Sequence, residues 1–185
     1  MANIMTTEKA IEYYTYDDYY LWEGKWELIE GMPMAMTPSP IIAHQAIAAK
    51  ILTELMNSIG NCDKCLVLAE EDWKISDNSV VKPDVVLICD EPNDKYITKA
   101  PEVAVEVISK STAKRDEVFK FDLYEKEKVL FYIIVYPDEH KAKVYKLEDN
   151  KYSKQGDFFT ETYSLEGTSC NAKIDFDKVF KQFRK

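Results

Sequence analysis

Two carboxylates stand where carboxylates are rarely found. Asp84 follows Pro83 at the mouth of an apolar run, Val85-Val86-Leu87-Ile88, and Glu106 lies inside another, Val103-Ala104-Val105-Glu106-Val107-Ile108. A carboxylate within such a run is unfavourable to bury unless it is paired or holds a cation. If the two runs form neighbouring strands, both acids can converge on one point. Hard oxygen donors of this kind suit Mg²⁺ or Mn²⁺, which keep several waters and hold phosphate oxygens. The competing reading is structural, with Glu106 on an edge strand facing water and Asp84 capping a strand or a turn.

The segment after Glu106 adds a basic group. Asp116, Lys120 and Tyr124 are spaced by four and share one face of a helix, which Ser109 and Thr112 precede. A lysine directed at the carboxylates could orient or activate an attacking water, or stabilise developing negative charge. Alternatively, Asp116 and Lys120 form an exposed pair worth roughly a few tenths of a kcal/mol. His44, near the start of a long helix, could contact a phosphate or a water on a metal, or serve as a cap or packing residue. His140, in the Pro137–His140 turn, reads as solvent-exposed. Trp73, Tyr96 and the early tyrosines could stack on bases, but core or interface roles are the simpler expectation. The Glu70-Glu71-Asp72 run could add a ligand or end a strand in solvent.

The elements that must position these residues can be read from periodicity and punctuation. Thr15 starts a short helix carrying Tyr19, Tyr20 and Trp22 and stopping near Gly24. Trp26–Ile29 and Met32–Met36 flank a hairpin turn at Glu30-Gly31, and Thr37-Pro38-Ser39-Pro40 punctuates the chain. From Ile41 to Ile59, apolar residues at 47, 51, 55 and 59, widened by Leu52 and Met56, predict an amphipathic helix ended by Gly60. Strands are predicted at Cys65–Ala69, Trp73–Ile75, Asp84–Ile88 and Val103–Ile108, the last two central and buried on both faces. Arg115–Lys126 reads as a second helix and Leu130–Val135 as another buried strand. Lys141–Leu147 and Lys151–Ser153 pair across Asp149-Asn150, and Asp175 caps a terminal helix through Phe183. This order predicts a mixed β-sheet core flanked by helices, an α/β fold with an N-terminal helix and hairpin.

The 185 residues suit one domain over 1–185, with a core at about 13–147 and C-terminal strands and a short helix over 148–185. The start shows no signal peptide, and no apolar run approaches the roughly 20 residues of a membrane helix, so a cytoplasmic location is the expectation. Cys62-Asp-Lys-Cys65 could supply two zinc ligands or a redox pair, but neither a second CxxC nor a nearby His pair accompanies it. Reduced, unpaired thiols are expected at Cys62, Cys65, Cys89 and Cys170. The balance of 24 basic against 33 acidic residues gives −9. Non-specific DNA affinity comes mainly from neutralising phosphates, so any positive surface must be local or supplied by bound metal ions.

Several stretches together resemble a known family. Tyr16-Asp17-Asp18-Tyr19, Glu27-Leu28-Ile29-Glu30-Gly31, Pro38-Ser39-Pro40 and His44-Gln45 are followed by Lys82-Pro83-Asp84-Val85 and Ala100-Pro101-Glu102. Glu106-Val107-Ile108-Ser109-Lys110-Ser111-Thr112, then Asp116, Lys120 and Tyr124, complete a series similar in order to the Uma family of restriction-endonuclease-like proteins.

The resemblance implies a PD-(D/E)xK nuclease core, in which acidic residues bind Mg²⁺ (or Mn²⁺) and a lysine assists phosphodiester hydrolysis. Carried over, Asp84 is the motif aspartate, Glu106 the second acid and Glu27 an additional acid. The Val107 carbonyl would join Asp84 and Glu106 on the metal. The plain motif has lysine at position 108, where this chain has Ile108; the resemblance gives the role to Lys120, with Lys110 as the alternative. His44, Ser109, Lys110, Asp116 and Tyr124 are the expected substrate-side residues. The implied function is Mg²⁺-dependent cleavage of DNA by a homodimer, two-fold pairing being the commonest symmetry. The alternative is a catalytically inactive nuclease-fold binding or assembly module, which the charge and the absent in-motif lysine favour.

Overall fold

The computed structural model of the chain describes residues 12–36, 41–109, 113 and 115–184. The first eleven residues, the punctuation at 37–40, Lys110, Ser111, Thr112, Lys114 and Lys185 lie outside the described residues.

Helix α1 (Tyr16–Tyr19) opens with Thr15 donating through its N and Oγ1 to the Asp18 carboxylate at 2.8 and 2.9 Å. The helix expected to reach Gly24 ends after one turn. It buries no residue, so nothing offsets the cost of extending it. Strands β1 (Trp26–Ile29) and β2 (Met32–Ala35) form the expected hairpin. Both turn residues, Glu30 and Gly31, have positive φ (49° and 81°), which suits a two-residue hairpin turn.

Helix α2 (Ile42–Ile59) buries Ile47, Ile51 and Leu55 at four-residue spacing and ends at Gly60 with φ 55°. Each such burial contributes about 1.5–3 kcal/mol relative to exposure. The stripe is narrower than expected, because Met56 is exposed. Then come β3 (Cys65–Ala69), β4 (Trp73–Ser76) and β5 (Ser79–Val81), followed by β6 (Val85–Cys89) and β7 (Val103–Val107). The expected helix over Arg115–Lys126 is two pieces, a π-helical turn at Arg115–Lys120 and α3 (Phe121–Lys126). Strands β8 (Phe131–Tyr136), β9 (Lys141–Glu148) and β10 (Lys151–Phe158) lead to β11 (Thr162–Ser164) and β12 (Lys173–Asp175). Asp175 Oδ1 accepts from Lys178 N and caps α4 (Phe176–Phe180), as its position suggested, but the helix ends before the expected Phe183.

The main sheet has six strands in the order β10-β9-β8-β7-β6-β3, with β7 and β8 parallel and the other pairs antiparallel. This is the mixed sheet that the element order predicted. A four-stranded antiparallel sheet, β2-β1-β5-β4, packs beside it, and β11 pairs with β12. Side-chain alternation divides the core. Val103, Val105 and Val107 join the cluster of α2 and α4, whereas Ala104 joins Tyr124, Tyr132 and Trp73 in a second cluster. Glu106, in phase with Ala104, therefore enters the second side of the sheet.

Two expectations are corrected. The cysteines are not unpaired: Cys62 bonds Cys170 and Cys65 bonds Cys89. The fold folds back across 108 residues to deliver Cys170, a partnership that the 62–65 spacing cannot reveal. His140 is half-buried, with its ring 6.5 Å from that of Phe180, because a left-handed turn at φ 48° directs the chain back. No helix among the described residues is long and apolar enough to cross a membrane.

Candidate active site

The antiparallel register of β6 and β7 pairs Val85 with Val105, so extending it by one residue sets Asp84 opposite Glu106. Asp84 Oδ2 accepts the Val107 backbone N–H at 2.7 Å and lies 3.4 Å from His44 Nε2. Glu106 turns to the side covered by the π-helical turn and α3. Its Oε1 accepts from Lys120 Nζ at 2.8 Å and from the Tyr124 hydroxyl at 2.7 Å. Glu106 is thus on a central strand and 3 % exposed, which removes the edge-strand alternative.

Lys120 is 1 % exposed, so it is no surface partner of Asp116. Its ammonium bridges Glu106 and Glu27, 2.8 Å from an oxygen of each, and lies 4.0 Å from Asp116 Oδ1. Glu27, fully buried on β1, also accepts the Lys82 N–H at 2.9 Å through Oε1, while its Oε2, without a hydrogen bond among the described residues, sits 3.5 Å from Arg115 Nη1. The π-helical turn makes this possible: its wider i→i+5 winding brings Arg115, Asp116 and Lys120 to the same group of carboxylates.

A cleft of about 630 Å³ opens over these residues, with His44, Asp84, Glu106, Val107, Asp116 and Lys120 on its wall. Ser109 also lines it; Lys110 lies outside the described residues. Tyr124 does not line it. Expected on the substrate side, it is wholly buried and bonds Glu106 instead, because helical spacing reports a face but not its depth. Glu27 likewise reaches the site from behind, through Lys120. Glu70 lines the cleft and pairs with Lys25, while Asp72 bonds Lys82 and the Tyr19 hydroxyl. Trp73 is core, and Tyr96 packs on Tyr16. Arg115 is the site residue that sequence reasoning passed over; its neighbour Asp116 was the available signal, but an α-helical spacing does not align Arg115 with Lys120.

The electrostatics are lopsided. Burial, first, lifts the Glu106 carboxyl well above its ordinary range; Lys120 opposes that, and the charges of Asp116, Asp84 and Glu27 reinforce it. Burial alone would lower the Lys120 ammonium, but Glu106, Glu27 and Asp116 outweigh it and hold it above its usual value. His44 is raised as well, its burial outweighed by the bond and charge of Asp84. Lys120 therefore holds its proton firmly among these carboxylates. Glu27, Asp84, Glu106 and Asp116 are four carboxylates, and among the described residues Lys120 and Arg115 are the lysine and arginine paired with them. Asp84 and Glu106 offer the hard oxygens that a divalent cation takes, and such an ion would balance the surplus and favour the ionised form of Glu106.

Tyr124→Phe tests the wiring of Glu106 without changing shape. It is expected to lower stability by about 1–3 kcal/mol through the lost hydrogen bond. An unchanged thermal melt would mean that the hydroxyl does not hold Glu106.

Residues 16–174 match a family described as "Putative restriction endonuclease". A crystal structure from Anabaena variabilis, described as "a putative nuclease belonging to DUF820", superposes with a TM-score of 0.72 at 17% identity, covering 90% of this chain and 97% of that one. At that identity the likeness speaks for the fold alone. No curated protein matches the chain.

Proposed function

Because the chain belongs to the Uma2 family, we propose that it is a divalent-metal-dependent endonuclease that hydrolyses phosphodiester bonds in DNA. The observation that carries this reading is the cluster of buried carboxylates around Lys120 at the wall of an open cleft. An acidic group of this kind repels phosphate unless a cation intervenes.

Asp84, Glu106 and the Val107 carbonyl are the proposed ligands of Mg²⁺ or Mn²⁺. When bound, such an ion supplies charge neutralisation at the phosphoryl oxygens and a more acidic water. The protein's own groups do the rest. Glu106 orients the attacking water. The Lys120 ammonium stabilises negative charge as it develops, and Glu27 and Tyr124 fix the positions of Lys120 and Glu106. His44 steadies Asp84 and stands at the cleft wall within reach of a phosphate, with Ser109 and Asp116 beside it. Lys110 is the alternative to Lys120. A homodimer would let two such sites act on the two strands of a duplex.

The pH dependence of metal binding follows from Glu106. Its folded-state carboxyl is raised, so the metal-free fold binds the proton more tightly than the unfolded chain does. Stability therefore declines as pH rises from the ordinary value near 4.5 through the folded value. A divalent ion competes with that proton, so the stabilisation by Mg²⁺ should grow over the same rise. Thermal melts in EDTA and in Mg²⁺ across pH would measure it; a pH-independent metal shift would contradict Glu106 as a ligand.

Nicking of supercoiled DNA in Mg²⁺ or Mn²⁺, abolished by EDTA, tests the proposal. The net charge of −9 supports the second reading, a nuclease-fold binding module. Absence of both cleavage and metal-dependent stabilisation, on supercoiled and single-stranded DNA, would favour that reading.

A further inference from the structure

Away from the cleft, four chain segments bring all four cysteines to one place. Cys62 lies just beyond α2, Cys65 opens β3, Cys89 closes β6, and Cys170 precedes β12. Cys65 and Cys89 are register partners of β3 and β6, so their side chains project from the same face. The two bridges, Cys62–Cys170 and Cys65–Cys89, touch each other, with Cys170 Sγ 2.9 Å from Cys65 Sγ. Two bridges acting only as separate staples have no need of that contact.

We propose that the reduced form of this four-cysteine cluster is a closed tetrathiolate site for zinc. Thiolates are soft donors, and four of them form a standard structural zinc set. The sulfurs of Cys62, Cys65 and Cys170 all lie within 4.8 Å of one another; Cys89 meets only Cys65 among them within that span, and completes the set by turning inward once its bridge opens. Thiolates at about 2.3 Å from a tetrahedral ion stand about 3.8 Å apart, inside that span. Cys62 and Cys65 have the spacing of a two-ligand chelate and are not bonded to each other. A carboxylate oxygen of Glu102 lies within 4.8 Å of Cys65 and Cys89, and Glu102 accepts from Ser169 N at 2.7 Å beside Cys170. Lys99 donates to the Cys89 carbonyl, placing a positive charge next to a site whose four thiolates exceed the charge of one zinc. Cys62, Cys89 and Cys170 are only partly buried, so reductant and ion can reach them.

The chemistry balances. A dithiol reductant gives each bridge two electrons and two protons, yielding two thiols and oxidising itself to a disulfide. Zinc binding to the four thiols then releases their protons to solvent and forms the tetrathiolate. In a reducing compartment the bridges open, and the ion takes over their task of tying the last strands to the sheet edge and α2.

The test uses the full chain reduced with a phosphine under anaerobic conditions. Cobalt(II) added first should give sulfur-to-metal charge-transfer bands and tetrahedral ligand-field bands, saturating at one equivalent. The proposed all-oxygen site in the cleft cannot give the thiolate bands, so the two sites are told apart. Zinc should displace the cobalt and shield all four thiols from alkylation. Cys170→Ser should weaken cobalt binding by more than the roughly 10–100-fold that losing an outer-shell partner costs. The alkylation readout on the unaltered chain holds even if that variant misfolds. Four freely alkylated thiols at stoichiometric zinc, with no thiolate bands, would overturn the proposal.

Discussion

Lys120→Met is expected to destabilise the metal-free protein by about 3–5 kcal/mol, although the new side chain is of similar length and apolar. The ammonium is 1 % exposed and lies 2.8 Å from both Glu27 and Glu106. Removing it leaves two buried acids facing each other, with Asp116 close by. The loss should depend on pH. Glu106 is already raised by burial, and the neighbouring carboxylates push it the same way. Without Lys120 it rises further, so the deficit grows as pH climbs from the parent's own raised Glu106 value toward the variant's higher one, and narrows on acidification below that window, when the proton takes over part of the ammonium's work. Denaturant melts at two pH values would measure this. Equal stability of variant and parent at neutral pH would contradict the buried bridge. In a cleavage assay the same variant should lose about 100–1,000-fold in turnover, the usual cost of one group that stabilises developing charge.

Asp84→Asn should do the reverse to the metal-free fold. The amide oxygen can still accept the Val107 N–H that Asp84 Oδ2 takes at 2.7 Å, while one negative charge leaves a cluster in which Asp84 raises Glu106. The metal-free protein should therefore stay within about 1 kcal/mol of the parent, since His44 Nε2, 3.4 Å from the same oxygen, can still donate to the amide oxygen. The response to metal should vanish. A ligand at a hundredfold excess over its Kd stabilises by about 2.7 kcal/mol, and that increment is what the variant forfeits. A full metal-dependent shift in Asp84→Asn would remove Asp84 from the ligand set. This separates charge from fold: the residue most needed for the proposed chemistry is one the fold can do without.

Much of the frame was legible in the sequence because long apolar elements announce their period. The four-residue stripe of α2 and the Val- and Ile-rich runs of β6 and β7 read directly, and with them the two acids at 84 and 106. Three-residue strands such as β5, β11 and β12 are too short to show a period. By spacing alone Lys120 was one of three residues four apart, and only the family resemblance singled it out; spacing gives a face, and packing shows that this face is inward. The same gap put Tyr124 at the substrate, where the structure buries it against Glu106. Arg115 escaped because its alignment with Lys120 requires a π turn, which no α-helical template anticipates. The cysteine cluster escaped because three-dimensional closure, and not local spacing, supplies Cys170.

The most direct test of the proposed chemistry is one plasmid-nicking series in Mg²⁺ and Mn²⁺, comparing the parent chain with Asp84→Asn, Glu106→Gln and Lys120→Met, each first shown to be folded. Metal-dependent nicking by the parent that falls to background in the two carboxylate variants and by about 100–1,000-fold in Lys120→Met is the predicted result. Nicking that persists in Asp84→Asn and Glu106→Gln would contradict a metal site built on those carboxylates.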